Sequence, residues 1–157
     1  MKFIDAPIFI KWLAASKKML SIESAISGYI LYKIETAEPA ITTTLVKDEV
    51  LIWLSRYKAS ALSKFVKALR LYYKLNMVQP TISDQELACK LFGKYKLGIS
   101  DLINLSVMKR LKIREIYSTD TRFKDAGIKV IFHELQKEKE FKIFIDLLVE
   151  KGFSPSF

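Results

Sequence analysis

Short apolar or β-branched segments alternate with longer segments of helical periodicity along this 157-residue chain, and that alternation restricts its possible folds. Helices between strands are typical of a parallel sheet covered by helices on both faces. The predicted strands are Met1–Ile4, Ala40–Thr44, Arg114–Thr119 and Lys129–Phe132. The predicted helices are Pro7–Leu13, Ser21–Ile34, Leu45–Tyr57, Ala59–Asn76, Ser83–Tyr95, Asp101–Leu111 and a charged amphipathic helix within residues 134–157. The pattern therefore predicts an α/β fold with a mostly parallel sheet of four to five strands.

Three local signals refine this pattern. Ser83 and Glu86 have the spacing of a capping box, so a helix is expected to begin there. Ser100 is the expected cap of the next helix. The segment Met77–Ile82 contains Pro80, which favours a connector or a short edge strand.

Four acidic residues follow predicted strands or begin the helices after them. The carboxyl ends of parallel strands share one edge of a sheet, where binding sites form. Carboxylates gathered there repel one another, and a divalent cation relieves that repulsion. The four are Asp5, Glu49, Asp101 and Asp120. Their placement indicates metal-assisted chemistry on phosphates.

Taken singly, three of these acids have structural explanations. Asp5 can cap the helix that begins at Pro7, Asp101 can complement a helix dipole, and Asp120 can begin a turn. Glu49 differs, because it falls within an apolar helical stripe, where an unpartnered carboxylate is costly. The acids together are thus more informative than any one of them.

Composition narrows the classes of function. Lysine and arginine outnumber aspartate and glutamate by 26 to 17, giving a net charge of +9, which favours polyanionic partners such as nucleic acid. An ordinary basic, solvated surface is the alternative. The only cysteine, Cys89, excludes an internal disulfide, and the only histidine, His133, excludes a multi-histidine metal site. No apolar run is long enough to span a membrane, and no export signal is evident, so a cytoplasmic protein is expected.

Four sequence blocks carry a resemblance to a known family. They are MKFIDAPIFI, TTTLVKDEVL, KYKLGISDLINLSVMKRL and IREIYSTDTRFKDAGIKVI. In order and spacing these blocks resemble the conserved blocks of the PIN-domain nucleases, most closely the VapC toxins of toxin–antitoxin pairs, particularly archaeal ones. The resemblance covers about residues 1–133. It implies a three-layer PIN-like domain over 1–133, with residues 134–157 as a helical extension packed on the same domain.

The resemblance implies a metal-dependent ribonuclease. Its four acids match Asp5, Glu49, Asp101 and Asp120, which would hold Mg²⁺ or Mn²⁺ for phosphodiester hydrolysis. The following residues match lesser parts of the pattern or are candidates by position: Thr119 as a supporting hydroxyl, Phe123 as a packing aromatic, Asp125 as a further acid, and Lys11, Lys47, Arg122 and Lys124 as RNA contacts. Trp12, Tyr72 and Tyr73 are candidates for stacking on bases, with packing or a dimer interface as the favoured interpretation.

The resemblance also implies partners, and two departures from the family pattern keep alternatives open. An RNA substrate, a homodimer and a cognate antitoxin are expected, with the helices Ser21–Ile34 and Ala59–Asn76 as contact surfaces. Pro7 stands where many relatives have Asn or Ser, and the extension of 134–157 is unusual. A catalytically silent RNA- or protein-binding module and an RNA-processing PIN nuclease therefore remain alternatives. A receiver domain is disfavoured because Asp5 has no acidic neighbour.

Overall fold

A computed structural model describes residues 1–157 and shows one five-stranded sheet in which every pair of neighbouring strands is parallel. The strands are β1 (Lys2–Ile4), β2 (Ala40–Thr43), β3 (Leu75–Val78), β4 (Glu115–Tyr117) and β5 (Lys129–Ile131). Their order across the sheet is β3-β2-β1-β4-β5. The chain therefore adds β2 and β3 on one side of β1 and then returns to add β4 and β5 on the other side. This reversal creates a topological switch point between β1 and β4. The predicted α/β fold is confirmed.

Seven helices surround this sheet. They are α1 (Ala6–Leu13), α2 (Ile22–Thr36), α3 (Thr44–Tyr57), α4 (Leu62–Leu71), α5 (Ile82–Leu91), α6 (Ile99–Arg110) and α7 (Lys139–Glu150). The core is built from apolar residues of the strands and the inward helix faces, including Phe3, Ile4 and Ile116, all fully buried. Because β1 is central, its carboxyl end lies among several elements rather than at the rim.

Side-chain caps determine where three helices begin. Asp5 accepts a hydrogen bond from the Ala6 amide at the start of α1, and Ser21 and Thr43 cap α2 and α3. Each cap satisfies an amide that the first helical turn leaves without a partner. The caps of α1 and α3 directly follow β1 and β2, so both helices begin at the carboxyl edge of the sheet.

Two predicted helix starts were wrong. The capping box of α5 is formed by Thr81 and Asp84, two residues before the predicted pair. Both carboxylate oxygens of Asp84 also accept hydrogen bonds from the guanidinium group of Arg110 at the end of α6. This ion pair favours the earlier start of α5. The helix α6 begins at Ile99 with Gly98 as its cap residue, so Ser100 lies inside the helix rather than before it.

The predicted helix over Ala59–Asn76 was also wrong in its second half. A 3-10 turn precedes α4, which ends at Leu71, and Leu75–Val78 is the edge strand β3. All four residues of β3 pair in register with β2. Pairing with a neighbouring strand outweighs the helical tendency of the local sequence there, as context often does.

The C-terminal segment has a break that the single predicted helix lacks. A 3-10 turn over His133–Lys137 precedes α7, with Glu138 extended between them. The helix α7 packs on α2 through an edge-to-face contact of Phe141 with Tyr29. The tail then returns to the start of α2, because the amides of Leu20 and Ser156 bond to the carbonyls of Ser154 and Leu20 respectively.

Close packing of α1 against α2 depends on Gly28. A Cβ atom at this position would overlap the ring of Trp12, which also stacks on Phe153 of the tail at 5.6 Å between ring centroids. We expect Gly28→Ala to lower the free energy of unfolding by about 1–3 kcal/mol, as overpacking does. Urea denaturation measures this. The same change in a Trp12→Leu background is the control, because the added methyl group then meets no indole ring, and an equal loss in both backgrounds contradicts the prediction.

Candidate active site

Asp5 is the most enclosed of the four candidate acids, at 5 % exposure, and lies at the carboxyl end of the central strand β1. One carboxylate oxygen, Oδ1, accepts from the Ala6 amide at 2.9 Å, and Oδ2 accepts from the Ser118 hydroxyl at 2.7 Å. Burial raises the pKa of Asp5 to about 7, the hydrogen bond from Ser118 opposes that rise, and the charges of Asp101 and Glu49 add to it. Asp5 is thus fixed in place while its charge is destabilised.

Ser118 joins the first and fourth acids. It follows β4 directly, is fully buried, donates to Asp5 and accepts from the Asp120 amide at 3.0 Å. This hydroxyl therefore fixes the loop after β4 against the end of β1. Thr119, the predicted supporting residue, makes no hydrogen bond to any of the four acids.

Asp120 is neutralised within the chain. Its two oxygens accept from the Arg122 guanidinium at 2.8 and 2.6 Å, and Oδ1 also accepts from the Arg122 amide. These contacts lower the pKa of Asp120. Arg122 donates further to the Lys96 carbonyl at 2.8 Å. Asp120 is thus held by the guanidinium group of Arg122 and is not free to turn toward the other three acids.

Glu49 carries the one carboxylate oxygen of this group that is shielded from solvent and has no hydrogen-bond partner. It lies in the second turn of α3, half-buried, and its Oε1 is shielded from solvent without any hydrogen-bond partner. Burial raises the pKa of Glu49, and the charge of Asp101 raises it further. Hydrogen bonding with the Ser100 side chain lowers this pKa and so opposes the rise. A buried carboxylate oxygen without a donor is costly, so this atom is suited to a cation supplied from outside.

Asp101 lies in the first turn of α6 and is half-buried. Its pKa is raised by burial and by the charge of Asp120, while Arg122 and the Gly98 backbone oppose that rise. One turn later, Asn104 accepts a 2.7 Å hydrogen bond from the Thr43 hydroxyl that caps α3. This buried bond fixes α6 against the end of β2, and so fixes Asp101 relative to Glu49.

The four acids lie near enough to one another at the carboxyl edge of the sheet for their charges to interact. Each of Asp5, Glu49 and Asp101 has its pKa raised by the charge of another acid of the group. No three acidic, histidine or cysteine side chains lie close enough to one another to hold one metal ion. The donors are all oxygens, the ligand type that Mg²⁺ and Mn²⁺ prefer. That donor set, the mutual repulsion and the unpartnered Glu49 oxygen fit a hard divalent cation.

Most of the basic residues predicted near the acids have partners in the chain. Lys11 pairs with Glu23 at 2.8 Å, Lys47 with Asp48 at 3.1 Å, and Arg122 with Asp120. Lys124 has no ion pair and lines a cleft of about 200 Å³ beside Ser118 and His133. None of the four candidate acids lines this cleft, so Lys124 is the one unpaired cation of this set but is joined to the acidic edge only through Ser118.

The aromatic residues considered for base stacking have different environments. Trp12 packs against Phe144 and Phe153, which supports a packing role. Tyr72 is half-buried, and Tyr73 is 77 % exposed on the turn after α4. None of the three lines the cleft beside Ser118.

Sequence reasoning missed Ser118 and Asn104. Ser118 and Thr119 follow the last residue of β4, and these two adjacent hydroxyl residues compete for the supporting role; in the fold Ser118 is fully buried and Thr119 only half-buried. Asn104 gives a weaker signal, as a polar residue among the apolar positions of α6; it is 1 % exposed.

Comparison with known proteins agrees with this geometry. The family model of the PIN domain matches residues 2–129. The chain belongs to the PIN domain family. No curated protein is similar enough in sequence to match it. The resemblance deduced from the four sequence blocks is thus confirmed at the level of the PIN family.

Solved structures share this PIN fold. VapC20 of Mycobacterium tuberculosis, a toxin that cleaves the sarcin–ricin loop, superimposes with a TM-score of 0.69 at 16% identity, covering 84% of this chain and 99% of VapC20. A toxin–antitoxin complex from Klebsiella pneumoniae gives 0.61 at 19% identity, covering 83% and 96%. VapBC2 from Rickettsia felis, bound to a promoter DNA fragment, gives 0.58 at 13% identity, covering 83% and 96%. These likenesses show a common fold.

No helix of this PIN protein combines the length and the apolar character needed to cross a bilayer.

The pKa of Asp5 predicts how stability depends on pH. The unfolded chain loses this proton near the ordinary value of 3.8, whereas the folded chain retains it up to about 7. Stability therefore falls as pH rises between these values, and the penalty is complete above about 7. Asp5→Asn removes the charge, and we expect the variant to gain about 2 kcal/mol or more over the parent chain between pH 5 and pH 8.

Urea denaturation in EDTA at both pH values measures this difference. Asp146→Asn, an exposed change on α7, is the control and should follow the parent chain. Identical pH dependence in the parent chain and in Asp5→Asn would show that Asp5 is already ionised in the folded state well below neutral pH.

Proposed function

We propose that this PIN protein is a metal-dependent endoribonuclease and the toxin of a VapBC-type toxin–antitoxin pair. The observation that carries the proposal is the buried Asp5 carboxylate, which lies at the switch point between β1 and β4 and is coupled electrostatically to Asp101 and Glu49. Ligands bind at such switch points in open α/β sheets. The shared fold with VapC20, a toxin that cleaves an RNA loop, supports a ribonuclease in particular.

Asp5, Glu49 and Asp101 would hold Mg²⁺ or Mn²⁺, with Asp120 as a fourth ligand or the ligand of a second ion. The bound ion would supply an activated water and neutralise charge on the scissile phosphate. Ser118 orients the Asp5 carboxylate through its bond to Oδ2. Arg122 holds Asp120 and supplies positive charge beside the place where the phosphate would lie. In the absence of a cation, the high pKa of Asp5 lets its carboxyl group retain a proton near neutral pH.

The cleft beside Ser118 supports RNA as the ligand of this edge. It is lined by Thr119, Thr121, Lys124 and His133, with Glu134 as its one acidic residue. Hydroxyl and lysine donors are suited to phosphate and ribose oxygens. The net charge of +9 favours a polyanion over the whole molecule.

An antitoxin and a second copy of the chain are the protein partners that we propose. A depression of about 380 Å³ beside Glu49 is lined by Ile10, Ile52, Trp53 and Tyr57. Ile52 and Tyr57 are 53 % and 70 % exposed, so an apolar antitoxin segment could cover them and reach the acids. Two structures that share the fold contain toxin–antitoxin assemblies. For the homodimer, we propose the exposed faces of α2 and α4.

One measurement tests the nuclease directly. Purified protein is incubated with end-labelled RNA in Mg²⁺ or Mn²⁺, and metal-dependent cleavage is expected. Asp5→Asn and Asp101→Asn should each reduce the rate by more than the roughly 10–100-fold that loss of a supporting group causes at a metal site. Asp146→Asn is the matched control and should cleave like the parent chain. Undiminished cleavage by both site variants would identify a contaminating nuclease.

Metal binding has a readout that does not depend on cleavage. Because a ligand that binds only the folded state stabilises it, Mn²⁺ at a concentration 100 times its Kd should stabilise the parent chain by about 2.7 kcal/mol. The melting temperature should therefore rise with Mn²⁺ in the parent chain and in Asp146→Asn, but not in Asp5→Asn. Equal shifts in all three proteins would place the ion elsewhere.

A catalytically silent RNA-binding PIN module is the second candidate. It is favoured by the ion pair that holds Asp120 to Arg122 and by the absence of three grouped acids. RNA binding without cleavage in either metal would decide for this candidate. The same cleavage experiment therefore separates the two functions.

A further inference from the structure

A second concave surface lies at the other end of α1 and α3, away from the acids. Lys17, Lys58 and Lys64 surround a depression of about 240 Å³, and the aromatic residues Trp12 and Phe153 line it. No acidic residue contributes to its lining. We call this surface the lysine pocket. Its three cations and apolar wall distinguish it from the acidic edge of the sheet.

The three ammonium groups of the lysine pocket are not neutralised within the chain. None of them takes part in an ion pair, whereas Lys11, Lys33 and Lys47 all do. Lys58 is half-buried and donates to the Leu13 carbonyl at 2.5 Å, so its ammonium group is fixed at the end of α1. Lys17 lies over the Phe153 ring, 5.3 Å from its centroid. Like charges held together without counterions attract an anion.

The lysine pocket and the acids lie at opposite ends of the same pair of helices. The helices α1 and α3 begin beside Asp5 and Glu49 and pack directly on each other. The bond from Lys58 to the Leu13 carbonyl shows that their far ends also meet. The eight residues of α1 correspond to a rise of about 12 Å. The depression beside Glu49 reaches Arg56 and Tyr57, next to Lys58, and so links the two ends.

We propose that the lysine pocket binds phosphate groups of single-stranded RNA whose scissile bond lies at the acids, one helix length away. This inference rests on the proposed nuclease function and adds the path of its substrate. Acids repel the phosphate backbone except where a cation is bound, so the affinity for RNA has to come from elsewhere. Lysine ammonium groups beside phosphates supply such sequence-independent affinity. The Phe153 ring positions the Lys17 ammonium group, and the Leu13 carbonyl positions that of Lys58.

The test measures RNA binding separately from RNA cleavage. A fluorescein-labelled, twelve-nucleotide single-stranded RNA is titrated in EDTA, and its anisotropy gives Kd at several salt concentrations. Lys17→Gln combined with Lys64→Gln removes two charges from the lysine pocket but leaves Lys58 and its bond to Leu13. Lys109→Gln combined with Lys112→Gln removes two charges from a basic cluster at the amino ends of β4 and β5. Both double variants have the same net charge, so a general effect of charge is equal in both.

We expect the lysine-pocket variant to bind about tenfold more weakly and to lose about 1.4 from the slope of log K against log salt, which corresponds to two phosphate contacts on a single strand. Its KM for cleavage should rise with kcat little changed, because uniform binding is lost. Lys17→Arg combined with Lys64→Arg should restore binding. The Lys109 and Lys112 variant should behave like the parent chain.

Three results would overturn the inference. Equal Kd and salt slope in the two double-Gln variants, with intact metal-dependent cleavage, would refute the lysine pocket and leave the nuclease in place. A parent chain that neither binds nor cleaves RNA would refute both. Polyglutamate that displaces the labelled RNA from the parent chain as well as unlabelled polyuridine does would assign the pocket to an acidic protein segment instead.

Discussion

Repulsion among carboxylates held at one edge of a parallel sheet is the constraint on which the candidate site depends. Asp5 is buried at the end of the central strand, so its charge is poorly solvated, and Asp101 and Glu49 add to the cost. Such an arrangement persists only where the surrounding structure stabilises it. Two hydrogen bonds to Asp5 and a bidentate arginine on Asp120 do so, and they leave Glu49 Oε1 without a partner. The remaining unfavourable energy is what a divalent cation would relieve.

The topology supplies part of that stabilisation itself. In a parallel sheet, the helix that follows each strand begins at the carboxyl edge, and helix N-termini carry partial positive charge. Asp5 caps α1, and Asp101 lies in the first turn of α6. Both carboxylates therefore benefit from helix dipoles, although they also repel each other. Asp5 and Asp101 thus each stabilise a helix start and also belong to the candidate site. The structural and the functional interpretation of these acids therefore do not exclude each other.

The limits of the sequence predictions have physical causes. The strands β1, β2, β4 and β5 could be predicted because each is a short apolar or β-branched segment bounded by breaks in helical periodicity. The strand β3 could be predicted only in part. Pro80 indicated a connector or short edge strand over Met77–Ile82, whereas Leu75 and Asn76 continued the preceding helical pattern and acquire their extended structure by pairing with β2. The acids could be placed at one edge from topology alone. The Arg122 pair with Asp120 could not, because it depends on side-chain conformations that spacing does not determine.

The supporting residues of the candidate site could not be predicted for the same reason, because their roles depend on contacts formed only in the fold. Thr119 and Ser118 are adjacent hydroxyl residues, and only the exact register of β4 decides that Ser118 faces Asp5. Asn104 becomes meaningful only when α6 lies against Thr43. Sequence patterns therefore predict candidate residues for the chemistry, while the residues that orient them could be recognised only in the fold.

The C-terminal segment gives this chain a surface that the PIN domain alone does not provide. The family match ends at residue 129, and the tail beyond α7 returns to place Phe153 on Trp12. Without Phe153, Trp12 would lose its stacking partner and Lys17 would lose the ring beneath its ammonium group. The extension therefore contributes both to packing of the α1–α2 pair and to the wall of the lysine pocket. Gly28 allows Trp12 to approach α2 closely. The packing of the C-terminal tail and the shape of the lysine pocket therefore both depend on the contact of Trp12 with Phe153.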